Sequence, residues 1–305
     1  MIATVCLNPC IDRTVSVEQF VLGGTNRVVH EESHLGGKGV NCARILASLR
    51  IDACVIALVG RKDYLLVEKA VRNQGNTLNA ILTKGSIRVN VKVYDKEREE
   101  ITEINASGNI VNLKNLAEAS EQIIECAKKS QWLILSGSLP PGCPEDYYGK
   151  TIELVKSQAP ECRIALDAEG EAFRLGVLAQ PDMVKPNARE LSLFSGKPVL
   201  GIKDALEGAS LLQNEGIGTV IVSMGKEGSV ICTNELKISA ASIPIHVKTT
   251  VGAGDAMLSG YVSARCLGMD DASAFRIGVA SATAEVAGDL HLTPHYLELV
   301  KTMNH

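Results

Sequence analysis

Short apolar segments alternate with helix-like segments along most of this 305-residue chain, and that alternation is what most restricts its fold. Apolar runs of strand length stand at 2–7, 53–59, 132–135, 163–167, 183–185 and 219–223, and helical spacing of apolar residues stands at 39–49, 113–129, 145–157 and 205–214. We expect the part after 223 to be largely helical. Strands that alternate with helices pair in parallel and are covered by helices on both faces. The sequence therefore predicts an α/β fold with a mostly parallel central sheet.

Two parts of the chain depart from this alternation. Segments 14–21 and 27–32 read as polar strands, and 87–94 alternates with period two before a charged turn and the strand 101–104. We expect a small antiparallel sheet beside the carboxyl end of the main sheet, where ligands bind in such folds. The predicted division is an α/β core of residues 1–11, 37–85 and 109–305 and a β appendage of residues 12–36 and 86–108.

Composition excludes several classes of partner. Apolar residues make up 46% of the chain and aromatic residues only 4%, which suits the aliphatic core of a parallel sheet. The net charge of −4, without any basic block, argues against nucleic acid as the main partner. No apolar stretch is long enough to span a bilayer, so we expect no membrane partner. Positive charge for an anionic substrate must then come from a few local side chains.

The nine cysteines are scattered and odd in number, and no two have the C-x-x-C spacing. This pattern argues against a disulfide framework and against a structural zinc site. The N-terminus reaches Asp12 and Arg13 too early for a signal peptide. So many thiols without a disulfide framework predict a cytoplasmic protein.

The stretch TTVGAGDAMLSG at 249–260 contains the strongest catalytic signal. Gly252, Ala253 and Gly254 let the backbone approach a ligand, and the helix that follows directs free N–H groups at an anion such as phosphate. A carboxylate in such a cradle suits a base that takes the proton of a substrate hydroxyl, which is the role we predict for Asp255. The alternative is a tight turn in which Asp255 caps the helix.

The segment LGGKGVN at 35–41 opens the helix at 39–49. Gly37 and its neighbouring glycines permit close approach of a ligand, Lys38 supplies a cation, and Asn41 can bond sugar hydroxyls. A flexible loop with a solvated lysine is the alternative interpretation. A second strand, at 132–135, leads directly into Ser-Gly-Ser, which makes Ser138 a candidate ligand contact or part of an ordinary Pro-Pro-Gly turn.

Two further loops follow later strands. In KPNARE at 185–190, Asn187 and Glu190 have the spacing of a capping box, which explains both residues without any function. The functional alternative places both beside a Mg²⁺ ion that keeps its waters, with Glu190 as an indirect ligand. The loop at 222–229 turns on Gly225 and Gly228 and suits a nucleotide site or a simple hairpin equally well.

In this order and spacing, the motifs resemble those of the phosphofructokinase B family of sugar kinases, which have a ribokinase-like fold. The resemblance runs from Leu7 to Gly260, nearly the whole chain. It implies a kinase that uses ATP and Mg²⁺, with the β appendage acting as a lid over the sugar. The residues it assigns are Asp12 for sugar hydroxyls; Gly37, Lys38 and Asn41 for the sugar phosphate; Gly252, Ala253, Gly254 and Asp255 for catalysis; and Asn187, Ser223, Gly225, Lys226, Gly228 and Thr250 for the nucleotide.

Within that family, Arg27, Arg88 and TEIN at 102–105 resemble the branch that acts on phosphorylated ketohexoses. The resemblance implies a small-molecule sugar phosphate held by Arg27, Lys38 and Arg88, with Ser138 nearby. Transfer to the C6 hydroxyl of fructose 1-phosphate, giving fructose 1,6-bisphosphate and ADP, is the favoured reaction. Tagatose 6-phosphate and fructose 6-phosphate remain open as substrates, as does a non-catalytic sugar-phosphate sensor. In this family the lid often pairs two subunits, so we expect a homodimer.

Overall fold

The computed structural model describes residues 1–289 and 291–305. Its strands are β1 Ile2–Cys6, β2 Cys10–Val17, β3 Val28–Gly36, β4 Ala53–Gly60, β5 Thr77–Thr83, β6 Arg88–Asp95, β7 Glu100–Ile104, β8 Trp132–Ser136, β9 Arg163–Asp167, β10 Met183–Val184, β11 Thr219–Ser223, β12 Ser229–Thr233, β13 Lys237–Ala240 and β14 Thr302–Asn304. Its helices are α1 Lys38–Ser48, α2 Tyr64–Asn73, α3 Leu113–Ala127, α4 Tyr147–Gln158, α5 Gly170–Leu178, α6 Ala188–Ser195, α7 Ile202–Asn214, α8 Ala253–Cys266, α9 Asp271–Ala287 and α10 Pro294–Leu299.

A ten-stranded sheet runs through the molecule in the order β14-β13-β12-β11-β10-β9-β8-β1-β4-β5. The seven strands from β11 to β5 are parallel to their neighbours. Two clusters of buried aliphatic side chains lie on the two faces, beneath the helices. In β4 all eight residues are buried, as expected for a strand covered on both sides. The predicted α/β class with a mostly parallel sheet is confirmed.

The sheet differs from the prediction at one edge. The part after 223 is not largely helical, because β12, β13 and β14 add three antiparallel strands there. These strands are only three to five residues long, a length at which periodicity does not separate strand from helix. The prediction also omitted α2, β5 and α5. Helix α6, which the capping box at Asn187 predicts, is present.

A second, four-stranded sheet in the order β3-β2-β6-β7 sits where the appendage was expected. It is mixed rather than fully antiparallel, because β2 and β6 pair in parallel while each is antiparallel to its hairpin partner. Strand β2 begins at Cys10, four residues after β1 ends, so the small sheet is connected to the carboxyl end of the main sheet. No helix among the described residues has the length and apolar character needed to cross a membrane.

Candidate active site

Two helix N-termini meet at the carboxyl end of the main sheet. Helix α1 begins after Gly37, with φ 107°, and α8 begins after Gly252, with φ 81°. Positive φ favours glycine, and a glycine cap has no side chain to occupy the free N–H groups of the first turn. Both helices therefore present backbone donors and the positive ends of their dipoles to the same space, which suits an anion.

Asp255 lies in the first turn of α8 and is 5% exposed. Its Oδ2 accepts a 2.8 Å hydrogen bond from Nδ2 of Asn41 on α1. Burial, together with the negative charge of Asp167, raises the pKa of Asp255 to about 6, against the opposing effects of Asn41 and Lys38. A buried carboxylate with a pKa slightly below neutrality is ionised at physiological pH and still holds a proton well enough to act as a base. The capping alternative does not apply, because Gly252 is the N-cap and no side chain caps α8.

A buried ion-pair network lies beside Asp255. Lys38 Nζ is 2.9 Å from Oδ1 of Asp167, and Lys185 Nζ is 3.3 Å from Oδ2 of the same carboxylate. Burial alone would raise the pKa of Asp167, but the two lysines outweigh it and the pKa is lowered. For Lys38, burial lowers the pKa while Asp167 raises it, and the net effect is a raised pKa. Lys38 is therefore cationic at physiological pH.

Sequence reasoning missed Asp167 and Lys185. Lys185 is 4% exposed, and its Nζ lies 3.1 Å from where a Cβ on Gly254 would be, against the first turn of α8. Each residue stands at or just after the carboxyl end of a predicted parallel strand, β9 or β10. The rule that ligands bind at those ends was the signal that would have found them.

The small sheet contributes a second polar cluster around Asp12 on β2. Oδ1 of Asp12 accepts a 3.0 Å hydrogen bond from Nδ2 of Asn90, and its Oδ2 lies 3.8 Å from Nζ of Lys92. A Cβ on Gly36 would lie 2.4 Å from that Oδ2, so only glycine leaves room for the carboxylate there. The register of β2 with β6 aligns Asp12 with Asn90, which no local pattern reveals.

Arg88 bridges the two sheets. Its Nε donates to the backbone oxygen of Asn8 at 3.2 Å, its Nη1 to that of Ala106 at 2.9 Å, and its Nη2 approaches Oγ of Ser138 at 3.5 Å. Nδ2 of Asn8 also donates to Ser138 Oγ at 3.2 Å. Arg88 and Ser138, both predicted from sequence, therefore meet at one point, and the guanidinium is held in a fixed orientation.

The structure does not bring Arg27 to this cluster. Arg27 precedes β3, whose first residue pairs with Val17, while the predicted sugar contacts lie at the other end, where Gly36 pairs with Cys10. Eight residues of strand separate the two ends, about 27 Å at 3.4 Å per residue. Arg27 is also exposed. The prediction that it holds one phosphate together with Lys38 and Arg88 does not fit a single copy of the chain.

The predicted nucleotide residues lie further along the main sheet. Asn187 and Ser223 form a parallel bridge, so β10 and β11 end together. The capping box is present, with Glu190 N donating to Asn187 Oδ1 and Asn187 N donating to Glu190 Oε2, both at 2.9 Å. Burial raises the pKa of Glu190. The capping role is thus shown for this pair, and the proposed magnesium role remains a prediction.

The turn after β11 contains Gly225, at φ 57°, and Gly228, at φ 90°. A Cβ on Gly228 would lie 2.2 Å from the backbone oxygen of Ala240, so the turn packs directly on β13. Lys226 at its tip and Thr250 before α8 are both exposed. The side chains of Lys226 and Thr250 are therefore accessible to a ligand from solvent.

Direct metal binding by protein alone is not indicated. Residues 1–289 and 291–305 contain no group of three or more His, Cys, Asp or Glu side chains arranged to hold a metal ion. Oδ2 of Asp167 has the ion pair with Lys185 at 3.3 Å but accepts no well-aligned hydrogen bond, and Glu190 lies close enough for Asp167 to raise its pKa. One or two carboxylates suit Mg²⁺, which keeps several waters and takes phosphate oxygens from a nucleotide. The residues present therefore fit a metal that arrives with a nucleotide.

Sheet order arranges these parts in a line. From β1 to β11 the strand ends carry, in turn, Asn8, Ser138, Asp167, Lys185 and Ser223. Four strand spacings separate the first from the last, about 19 Å. That length accommodates two small molecules end to end, with Asp255 and the helix N-termini between them.

Comparison with known proteins gives a consistent result. The sequence profile described as pfkB family carbohydrate kinase matches residues 5–289. A 1-phosphofructokinase of Rhodobacter capsulatus is 34% identical over 92% of this chain and 88% of its own length, and one of Bacillus subtilis is 32% identical over 93% and 92%. A crystal structure of phosphofructokinase-2 from Escherichia coli in complex with substrates and products has a TM-score of 0.88 at 26% identity, covering 97% of each chain.

Proposed function

Because the chain belongs to the pfkB family of carbohydrate kinases, we propose that it phosphorylates fructose 1-phosphate at the C6 hydroxyl, giving fructose 1,6-bisphosphate and ADP. The observation that supports transfer to an alcohol is Asp255, a buried carboxylate with a raised pKa between two helix N-termini. The choice of fructose 1-phosphate rests on the relatives named 1-phosphofructokinase, at 34% and 32% identity over most of this chain.

Asp255 is the proposed base. The sugar hydroxyl gives its proton to a carboxylate oxygen as it attacks the γ-phosphorus of ATP. Asn41 holds the carboxylate by its hydrogen bond, which fixes the direction of the free lone pairs. The N–H groups of Ala253 and Gly254 stabilise the charge on the moving phosphoryl group, since transfer depends mainly on positioning and electrostatics. Lys185 adds a cation beside that turn.

Family membership implies ATP as the phosphoryl donor and a divalent metal, and we propose Mg²⁺. The nucleotide then lies over β10 and β11, contacted by Asn187, Ser223, Gly225, Lys226, Gly228 and Thr250. Glu190 would hold the metal through water, with the metal neutralising phosphate charge. Asp167 orients Lys38 and Lys185 toward the space between donor and acceptor.

At the acceptor end, Asp12 and Asn41 orient the sugar hydroxyls, and Arg88 and Lys38 bind the phosphate. The fixed guanidinium of Arg88 suits a dianion, since charge-assisted hydrogen bonds are about twice as strong as neutral ones. Ser138 lies within reach of the same phosphate. Gly37 keeps the chain close to the ligand at the start of α1.

Fructose 6-phosphate is the second candidate substrate, because the similar solved structure is named phosphofructokinase-2. An ADP-release assay on fructose 1-phosphate, fructose 6-phosphate and tagatose 6-phosphate in parallel, with MgATP, separates these candidates. We expect the highest kcat/KM with fructose 1-phosphate. ADP release that none of the three sugars stimulates, together with tight sugar-phosphate binding, would instead favour a non-catalytic sensor.

We propose a division into a core, 1–11, 37–85 and 109–305, and a lid, 12–36 and 86–108; the presence of two separate sheets supports it. We propose that two copies pair through the lid, in which Val28, Ile101 and Ile104 are exposed. Such pairing is the arrangement in which Arg27 would face a sugar site other than its own. A cytoplasmic location is proposed from the nine free thiols.

The fall of kcat/KM at acid pH, the acid limb of the profile, should follow the protonation of Asp255. Because the active form is the carboxylate and its pKa is about 6, kcat/KM for the sugar phosphate should rise with pH through about 6 and level off above 7. Initial rates between pH 5 and 8, at fixed ionic strength and saturating MgATP, measure this limb. A limb centred near the ordinary aspartate value of 3.8 would contradict the assignment.

Arg88→Gln should weaken sugar-phosphate binding without disturbing the nucleotide. We expect KM for fructose 1-phosphate to rise about 10- to 100-fold, from loss of charge-assisted hydrogen bonds worth about 1.5–3 kcal/mol, and KM for ATP to stay within a factor of two or so. Arg98→Gln, at the far end of the same hairpin and more than half exposed, is the matched control. If KM for fructose 1-phosphate were equal in the two variants, Arg88 would not be a residue that binds the phosphate.

A further inference from the structure

Cys54 on β4 and Cys126 on α3 face each other in the core under α3. Their sulfur atoms are 3.5 Å apart, although 72 residues separate them in sequence. Both are free thiols, and they are 5% and 6% exposed. They form the one hydrogen-bonded cysteine pair found in the described part of the chain. A disulfide needs about 2.05 Å between sulfurs, so rotation about the side-chain bonds has to close the gap.

The surroundings give the two sulfurs different chemistry. The hydrogen bond from Cys126 lowers the pKa of Cys54 to about 7, burial opposes this, and Thr77 and the positive charge of Lys129 assist it. The same hydrogen bond and burial raise the pKa of Cys126. Nδ2 of Asn79 donates to Cys126 Sγ at 3.1 Å and keeps that sulfur in place. A thiolate beside a second thiol is the arrangement of a two-cysteine oxidation site.

The pair lies away from the proposed kinase site. Cys54 is the second residue of β4, at the amino end of the sheet, while the site lies at the carboxyl end. Six residues of β4 separate Cys54 from Gly60, about 20 Å. Both sulfurs are buried, so the oxidant that reaches them has to be as small as hydrogen peroxide. Nothing in the proposed kinase mechanism uses either thiol.

We propose that Cys54 and Cys126 are an oxidation site at which a hydroperoxide converts the two thiols into an intramolecular disulfide. The Cys54 thiolate attacks one peroxide oxygen, the O–O bond breaks, and hydroxide leaves, giving a sulfenic acid. The Cys126 sulfur then attacks the Cys54 sulfur, the S–O bond breaks, and the departing oxygen takes the Cys126 proton as water. Two thiols are oxidised by two electrons in total, and one peroxide is reduced to two waters. The product ties α3 to β4.

Tryptic mapping tests this directly. Cleavage after Arg50 and Arg61 gives peptide 51–61, and cleavage after Lys114 and Lys128 gives peptide 115–128, each with a single cysteine. After hydrogen peroxide treatment of the folded protein, we expect the two peptides joined, at the sum of their masses less two hydrogens, and separated again by dithiothreitol. Cys232→Ser, which removes another buried thiol, should leave the joined peptide unchanged.

The order of events is tested with dimedone, which traps sulfenic acid. In Cys126→Ser, peroxide should place dimedone on peptide 51–61, and in Cys54→Ser labelling of peptide 115–128 should be about tenfold lower. Kinase turnover of the oxidised wild type should match that of the reduced protein. Peroxide that oxidises other thiols without joining these peptides would overturn the proposal, as would equal dimedone labelling of the two variants.

Discussion

Asp255→Asn is expected to lower kcat by about 10²–10⁴-fold while changing KM for either substrate much less. Asparagine keeps the shape of the side chain and its contact with Asn41, but it cannot accept the proton of the sugar hydroxyl. The residual turnover of the variant should be nearly independent of pH between 6 and 8, because the titrating group is gone. Steady-state ADP release with fructose 1-phosphate measures the effect.

The same variant should be more stable than the wild type. Burial raises the pKa of Asp255 from 3.8 to about 6, so the folded state favours the protonated acid. The charged carboxylate therefore lowers the free energy of unfolding. This destabilisation grows as pH rises from about 4 to about 6 and is constant at higher pH. Its full size is about 3 kcal/mol, since each unit of pKa shift corresponds to about 1.36 kcal/mol. Removing the charge should therefore raise the free energy of unfolding at pH 7, as measured by urea titration.

Asp204→Asn is the matched control for Asp255→Asn, because Asp204 also lies in the first turn of a helix, α7, but away from the site. It should leave kcat unchanged, and because the neutral amide oxygen accepts a weaker hydrogen bond from Leu200 N than the carboxylate does, it should cost stability rather than add it. Near-normal turnover in Asp255→Asn would reject the base assignment. A variant that loses activity together with stability would instead indicate damage to the fold.

Asp167→Asn is expected to lower the free energy of unfolding by about 3–5 kcal/mol at pH 7, because Lys38 and Lys185 lose the carboxylate that pairs with both. The pKa of Asp167 is lowered in the fold, so its stabilisation is complete above its unfolded value of 3.8 and is lost as pH falls through the lower folded value. The difference between variant and wild type should therefore shrink in acid. Urea titrations at pH 7 and below pH 4 measure both points.

The charge of Asp167 also acts on Asp255, whose pKa it raises. In Asp167→Asn the acid limb of kcat/KM should move to lower pH, since two cations now face Asp255 without the opposing carboxylate. Glu125→Gln breaks an exposed pair with Lys128 and should change stability very little, without moving the limb. An unchanged limb in Asp167→Asn would show that the two carboxylates do not interact through their charges.

Local sequence patterns were sufficient to predict much of the fold and several of the loops at the candidate site. The alternation of apolar and helical segments predicted the parallel sheet, because strand and helix periods are properties of short stretches. The glycines before Asp255 and around Lys38 predicted ligand-binding loops, because positive φ and close approach depend on one residue at a time. The spacing of Asn187 and Glu190 predicted a capping box, which the structure contains.

Relations between distant segments were decided only by the tertiary structure. Lys185 and Asp167 meet because β9 and β10 are neighbours, and strand order cannot be read from either strand. Asn90 meets Asp12 through the register of β2 with β6, and the register of β3 carries Arg27 away from the site it was expected to join. Local motifs were enough to predict which loops carry residues suited to phosphoryl transfer. Long-range pairing, in which a shift of one residue turns every side chain over, decided which of those side chains share a site.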